Sequence, residues 1–141
     1  MNSYFRLLIF LGLTTFLFGC TPDGPELGEV TGVIKLDGEP VEGAYVSYSP
    51  LFPDGIELNA AGPTDAECRY EMQYSIKRNG VLLGPHRVTV STLDDIKMPD
   101  GRNKKIPERI PVIYRNEKSP LEITVKAGKN DGSFDLSSDE K

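Results

Sequence analysis

Gly28 to Ser49, GEVTGVIKLDGEPVEGAYVSYS, decides how this chain is read. In its first half Val30, Ile34 and Leu36 fall on one face of an extended run, and Thr31, Lys35 and Asp37 fall on the other. After Leu36-Asp37-Gly38-Glu39-Pro40, a second run sets Ala44, Val46 and Tyr48 against Tyr45, Ser47 and Ser49. A period of two broken by a turn dipeptide predicts strand, turn, strand, either as a direct hairpin or divided between two sheets.

The same pattern recurs downstream. Ile56, Leu58 and Ala60 alternate with Glu57 and Asn59 as a third strand, and Gly62-Pro63-Thr64-Asp65 reads as a turn. From Arg69 to Lys77, Tyr70, Met72, Tyr74 and Ile76 share one face of a single predicted strand, followed by a turn at Asn79-Gly80. His86, Val88 and Val90 alternate with Arg87, Thr89 and Ser91; Leu121, Ile123 and Val125 do so with Glu122, Thr124 and Lys126. Gly128-Lys129-Asn130-Asp131-Gly132 reads as a turn before a last strand ending at Phe134 and Leu136, with 137–141 as a frayed polar tail. The stretch 93–117 is polar, turn-rich and mixed in charge, and is expected to be mostly loop. Strands that are half apolar and half polar bury one face each, which predicts an all-β fold of two packed sheets, with a barrel as the alternative.

Composition agrees: 141 residues suit one domain, and 14 Gly with 11 Pro suit many short strands joined by turns. A net charge of −5 argues against a nucleic-acid partner held through its phosphates. With a single His and two cysteines, Cys20 and Cys68, zinc spacing cannot be met.

Residues 1–19 read as an address rather than as structure. Arg6 precedes an apolar run, Leu7 to Phe18, of roughly 12 residues, short of the ~20 that a spanning helix needs. The run ends at Leu17-Phe18-Gly19-Cys20, which resembles the lipobox of bacterial lipoproteins. That resemblance implies cleavage before Cys20, acylation of its thiol, and a mature chain that starts there. An ordinary secretory signal is the alternative. Losing Arg6 would take the net charge from −5 to −6. Thr21 stands where an inner-membrane retention signal would be Asp, so the outer membrane is favoured by the same resemblance. Residues 20–27 then form a Pro/Gly-rich tether to a domain spanning 28–136.

Val30-Thr31-Gly32-Val33-Ile34-Lys35-Leu36-Asp37-Gly38-Glu39-Pro40-Val41, then Gly43-Ala44, resembles the opening of carboxypeptidase regulatory-like domains. Thr64-Asp65-Ala66-Glu67-Cys68-Arg69-Tyr70 and Gly84-Pro85-His86-Arg87-Val88-Thr89-Val90 resemble that family's internal turn and strand. Ile106-Pro107-Glu108-Arg109, Tyr114, Ser119-Pro120-Leu121 and Phe134-Asp135-Leu136 look like the C-terminal half of short envelope lipoproteins that carry this domain. The resemblance implies a seven- to eight-stranded, Greek-key, transthyretin-like β-sandwich. Two departures stand out: Cys68 occupies a usual Gly position, so a positive φ there would strain it, and His86 replaces a usual Tyr.

Little in the sequence points to a reaction. Cys68 and His86 would have to be adjacent to act as a nucleophile pair. The residues of a transthyretin-like hydroxyisourate hydrolase and the zinc motif of a carboxypeptidase are missing, and Asp94-Asp95…Asp100-Gly101 lacks the alternating oxygens of a calcium loop. No enzyme activity, cofactor or metal is expected. Lys97, Arg102, Lys104, Lys105, Arg109 and Tyr114 are the residues that could contact a glycan or peptide; Cys20 is the lipidation site. The expected partners are a membrane, reached through the lipid, and an envelope protein or polysaccharide.

Overall fold

Asp37 and Gly38 both adopt left-handed backbone angles (φ 54° and 82°), and they alone separate the paired residues Leu36 and Glu39. A two-residue turn with both φ positive twists in the sense of its flanking strands, and Asp-Gly is the dipeptide that tolerates it. The computed structural model describes residues 24–51, 59–92, 94–97 and 100–140. Its strands are β1 (Leu27–Leu36), β2 (Glu39–Pro40), β3 (Tyr45–Pro50), β4 (Ala60–Pro63), β5 (Arg69–Glu71), β6 (Gln73–Ser75) and β7 (Arg78–Asn79). They continue with β8 (Val81–Leu82), β9 (Gly84–Ser91), β10 (Asp94–Lys97), β11 (Asn103–Ile106), β12 (Glu122–Val125), β13 (Gly128–Asp131) and β14 (Phe134–Leu136). A single 3-10 turn, η1 (Val112–Tyr114), is the helical element among the described residues.

The fold is an all-β sandwich. One sheet is built on β1, which pairs antiparallel with β2, β5 and β8 and parallel with β13 and β14. The other is antiparallel, in the order β12-β9-β3-β4-β6-β7. The opening stretch therefore divides: β1 and β2 lie in the first sheet and β3 in the second. Thr64 brackets the crossover, its hydroxyl accepting from Ala44 N (2.8 Å) and donating to Val41 O (3.0 Å). Between the sheets lie Val30 and Ile34 of β1, Val46 and Tyr48 of β3, and Val88 and Val90 of β9, as the period of two predicts. Each such burial contributes ~1.5–3 kcal/mol relative to exposure.

Several expectations are corrected. Arg69–Lys77 is not one strand: it leaves the first sheet after β5, buries Met72, and joins the second as β6. Ile76, expected to point inward, lies instead in the turn to β7 and is fully exposed. Gly62 and Pro63 belong to β4, and the turn falls at Asp65–Cys68, closed by Cys68 N donating to Asp65 O. Much of the expected loop 93–117 is the β10–β11 hairpin followed by η1. The strand sequences Asp94-Asp95-Ile96-Lys97 and Asn103-Lys104-Lys105-Ile106 hold one apolar residue each, which leaves no apolar alternation to detect.

The supposed turn at 128–132 is β13, whose residues pair in parallel with Gly28–Thr31. The tail is not frayed through Glu140: Ser138 N donates to Asp37 Oδ1 (2.9 Å), and Tyr114 Oη donates to Glu140 Oε2 (2.7 Å). Most of the third predicted strand, all of residues 1–19 and Cys20 lie outside the described residues.

Candidate functional site

Glu108 organises the end of the molecule where the sequence places ligand contacts. Its carboxylate accepts from Ser91 Oγ (2.6 Å), Thr92 N (3.0 Å), Thr92 Oγ1 (2.9 Å) and Ile110 N (2.8 Å). Burial alone would raise its pKa, but these donors outweigh it and hold the group at about 2. Thr92 is itself buried, and its hydroxyl accepts from Arg109 N (2.7 Å), so the end of β9 and the segment after β11 form one polar knot.

The β10–β11 hairpin leaves from that knot and carries four of the predicted contacts. Lys97 pairs with Asn103, Lys104 with Ile96 and Lys105 with Asp95; Lys105 is exposed. Arg102 sits at the tip and is neutralised locally by Asp100, with Nη2 to Oδ2 2.6 Å and Nε to Oδ2 2.8 Å; those bonds hold Asp100 below the usual carboxylate range. The other two predicted contacts do not join them. Arg109 Nη2 donates to Glu42 O (2.8 Å) and ties the knot to the sheet crossover. Tyr114 is buried, donates to Glu140, and accepts from Ser137 N (3.2 Å), so its ring is part of the core rather than of a binding surface.

A hollow of about 450 Å³ lies beside the knot, with Arg109, Val112 and Arg115 on its wall. A second of the same volume, about 450 Å³, lies over β1 between Arg69 and Lys129, with Thr31, Asp131 and Ser133 around it. There Asp131 is kept below its usual range by the Ser133 hydroxyl and backbone N–H. Both hollows are open to solvent, and charged side chains, Arg69 and Lys129 in one and Arg109 and Arg115 in the other, stand among apolar wall atoms.

Cys68 and His86 are not brought together. Cys68 lies in the turn that leads into β5 of the first sheet, with φ 60°. His86 is buried on β9 of the second sheet, its Nδ1 3.0 Å from Gly84 O, and burial lowers its pKa. Buried tyrosines are engaged in the same structural way: Tyr70 Oη donates to Gly132 O and lies 2.9 Å from Tyr48 Oη. Burial pushes Tyr48 up to about 12 and raises Tyr70 further. Among the described residues no group of three or more His, Cys, Asp or Glu is placed to hold a metal ion, and no helix is long and apolar enough to cross a membrane.

Two features of the tether end were not foreseen. Arg78 Nη2 donates to Pro25 O (2.7 Å), and Ile76 stands fully exposed in the adjoining turn. Neither carries a sequence signal, because both depend on β6 turning back on itself directly after it joins the second sheet.

No family model matches the chain, and no curated protein matches it. Among solved structures it is similar to the crystal structure of a 9R-lipoxygenase from Cyanothece PCC8801, with a TM-score of 0.45 and 15% identity. The match covers 79% of this chain and only 16% of the lipoxygenase, and at that TM-score it carries no argument about fold or activity.

Proposed function

We propose that this chain is a non-enzymatic, lipid-anchored β-sandwich of the bacterial cell envelope, serving as a structural or interaction module. The carrying observation is the order of parts. An apolar run of roughly 12 residues ends at Leu17-Phe18-Gly19-Cys20, a six-residue Pro/Gly-rich stretch from Thr21 to Glu26 follows, and β1 starts at once at Leu27. A domain of the carboxypeptidase regulatory-like, transthyretin-like kind, held on a short acylated tether, fits that order. The buried and half-buried polar side chains support the non-enzymatic part of the reading, since Glu108, Thr92, Tyr48, Tyr70 and Tyr114 each bond to neighbouring strands, turns or the tail.

Fractionation tests it. Wild-type chain is expected in the membrane fraction, the outer membrane above all, and Cys20→Ala in the soluble fraction. Unchanged pelleting of the variant would sink the proposal. A second reading, glycan or peptide binding, is favoured by one feature, the hollow beside Arg109 and Arg115. Retention on an envelope polysaccharide that disappears in Arg115→Glu would carry that reading; retention that persists would remove it.

A further inference from the structure

The end of the sandwich from which the tether leaves sets an exposed aliphatic side chain among basic residues, although the chain as a whole is acidic. Ser75 pairs with Arg78, so Ile76 and Lys77 form a two-residue tip, and both are exposed, Ile76 completely. Arg78 latches this hairpin to the tether through Pro25 O at 2.7 Å, with its guanidinium 5.9 Å above the Tyr74 ring. The tip is therefore fixed beside Gly24–Glu26.

On the other side of the same entry point Gly28 packs so closely on the β12–β13 connection that an added Cβ would come within 2.7 Å of Val125 Cγ1. That packing holds exposed Lys126 and Lys129 at the start of β1. Asp23, Glu26 and Glu29 are the acidic residues of the tether and the start of β1, against Lys77, Arg78, Lys126 and Lys129. A chain of net charge −5 thus turns basic residues toward its tether, together with Ile76, the most exposed large aliphatic side chain among the described residues.

We infer that this end is a membrane-facing surface: Ile76 enters the interface of the bilayer while Lys77 and the Lys126–Lys129 pair meet anionic headgroups, with Arg78 holding the tip in place. An apolar side chain flanked by cations is the composition that interfacial binding uses. Distance permits it. Gly24 lies four residue steps after Cys20, a reach of at most about 14 Å at ~3.3–3.6 Å each, so an acylated Cys20 would keep the tip at the lipid surface. The inference rests on the lipid-anchor proposal for that placement, and adds a second contact that fixes the orientation of the domain.

The chain contains no Trp, so Ile76→Trp introduces a single reporter. The lipidated full chain is placed in phosphatidylethanolamine–phosphatidylglycerol vesicles, and its emission is compared with and without brominated acyl chains. A blue shift and strong quenching are expected for Ile76→Trp. Val112→Trp is the control: it is exposed on η1, which packs on β9, three strands from β6 in the second sheet, and should show neither effect. Lys77→Glu with Lys126→Glu, in the Ile76→Trp background, should weaken quenching on anionic vesicles.

Unquenched Ile76→Trp emission in a chain that floats with the vesicles overturns the inference, and leaves the tip to a protein partner. Flotation of the Cys20→Ala chain reads the anchor separately. If that variant still floats, the anchor proposal falls, while quenching at position 76 continues to decide the membrane contact by itself.

Discussion

Cys68 shows what one residue costs in a place shaped for another. Its φ of 60° lies in the left-handed region, and the turn around it is tight, with Asp65 Oδ1 accepting from Arg69 N (2.8 Å) and Asp65 O accepting from Cys68 N (2.9 Å). An L-residue is disfavoured there by ~1–2 kcal/mol, while a glycine adds ~0.5–1 kcal/mol of freedom to the unfolded chain. Cys68→Gly is therefore expected to stabilise the fold by about 0.5–1 kcal/mol, read as a Tm higher by a few degrees in thermal unfolding. An unchanged or lower Tm would contradict the strain.

Glu108 gives a pH signature. Its folded pKa of about 2 lies below the ordinary glutamate value of 4.5, so its stabilising effect is complete above about pH 4.5 and is lost as pH falls toward 2. Because the group is partly solvent-screened, the effect is about 1–2 kcal/mol rather than the full value of the shift. Glu108→Gln should lose that amount at pH 7 and converge on the wild type only as the pH approaches 2, as measured by urea unfolding at pH 7 and near pH 2. The strain at Cys68 was legible only as an expectation from a resemblance that sets Gly there; the Glu108 knot was not, since nothing in the sequence says which donors converge on one carboxylate.

Among the elements, the strands with one apolar face were legible and those without one were not. β1, β3 and β9 alternate buried with more exposed residues over most of their length, and their registers follow from that alternation. β13 carries Gly-Lys-Asn-Asp, which looks like a turn, yet it lies along β1 in the same parallel register that β14 continues. Parallel pairing between chain ends leaves no local mark, because the connection is the whole domain.

What lets it form is close approach. Between β13 and β14, Gly132 bends over Gly32 and receives the Tyr70 hydroxyl; a Cβ on Gly132 would come within 2.5 Å of the Tyr48 hydroxyl and 2.9 Å of Val30 Cγ1. Gly132→Ala must push the two tyrosines or the strand aside, at a cost of about 1–3 kcal/mol. Chemical denaturation measures it. A variant as stable as the wild type would mean that this crossing is looser than it looks. Asn130 gives the same element its other fastening, accepting from Lys126 N (2.9 Å) and donating to Lys126 O (2.8 Å) and Glu29 O (3.1 Å).

At the scale of the molecule, the all-β sandwich was readable from Gly28–Ser49 and its repeats, because sheet packing is the physical answer to many half-apolar strands. The predicted contact group was readable only in part. Arg102, Lys97, Lys104 and Lys105 do share a hairpin, but Tyr114 went to the core and Arg109 to the crossover, since side-chain company depends on a topology that a polar stretch does not encode. The exposed tip at Ile76 was read as core for the complementary reason: it continued a perfect alternation one step past the point where the strand turned back.

These placements give the tether end a direction, with β1, the β6–β7 tip and the β12–β13 connection meeting where the chain leads back to Cys20. The proposal that this direction is toward a lipid bilayer rests above all on Cys20. Metabolic labelling of the full chain with an alkyne fatty acid, alongside Cys20→Ala, tests it most directly. The account predicts a labelled mature protein whose first residue is Cys20 and an unlabelled variant. An unlabelled wild type, or equal labelling of both, would contradict it.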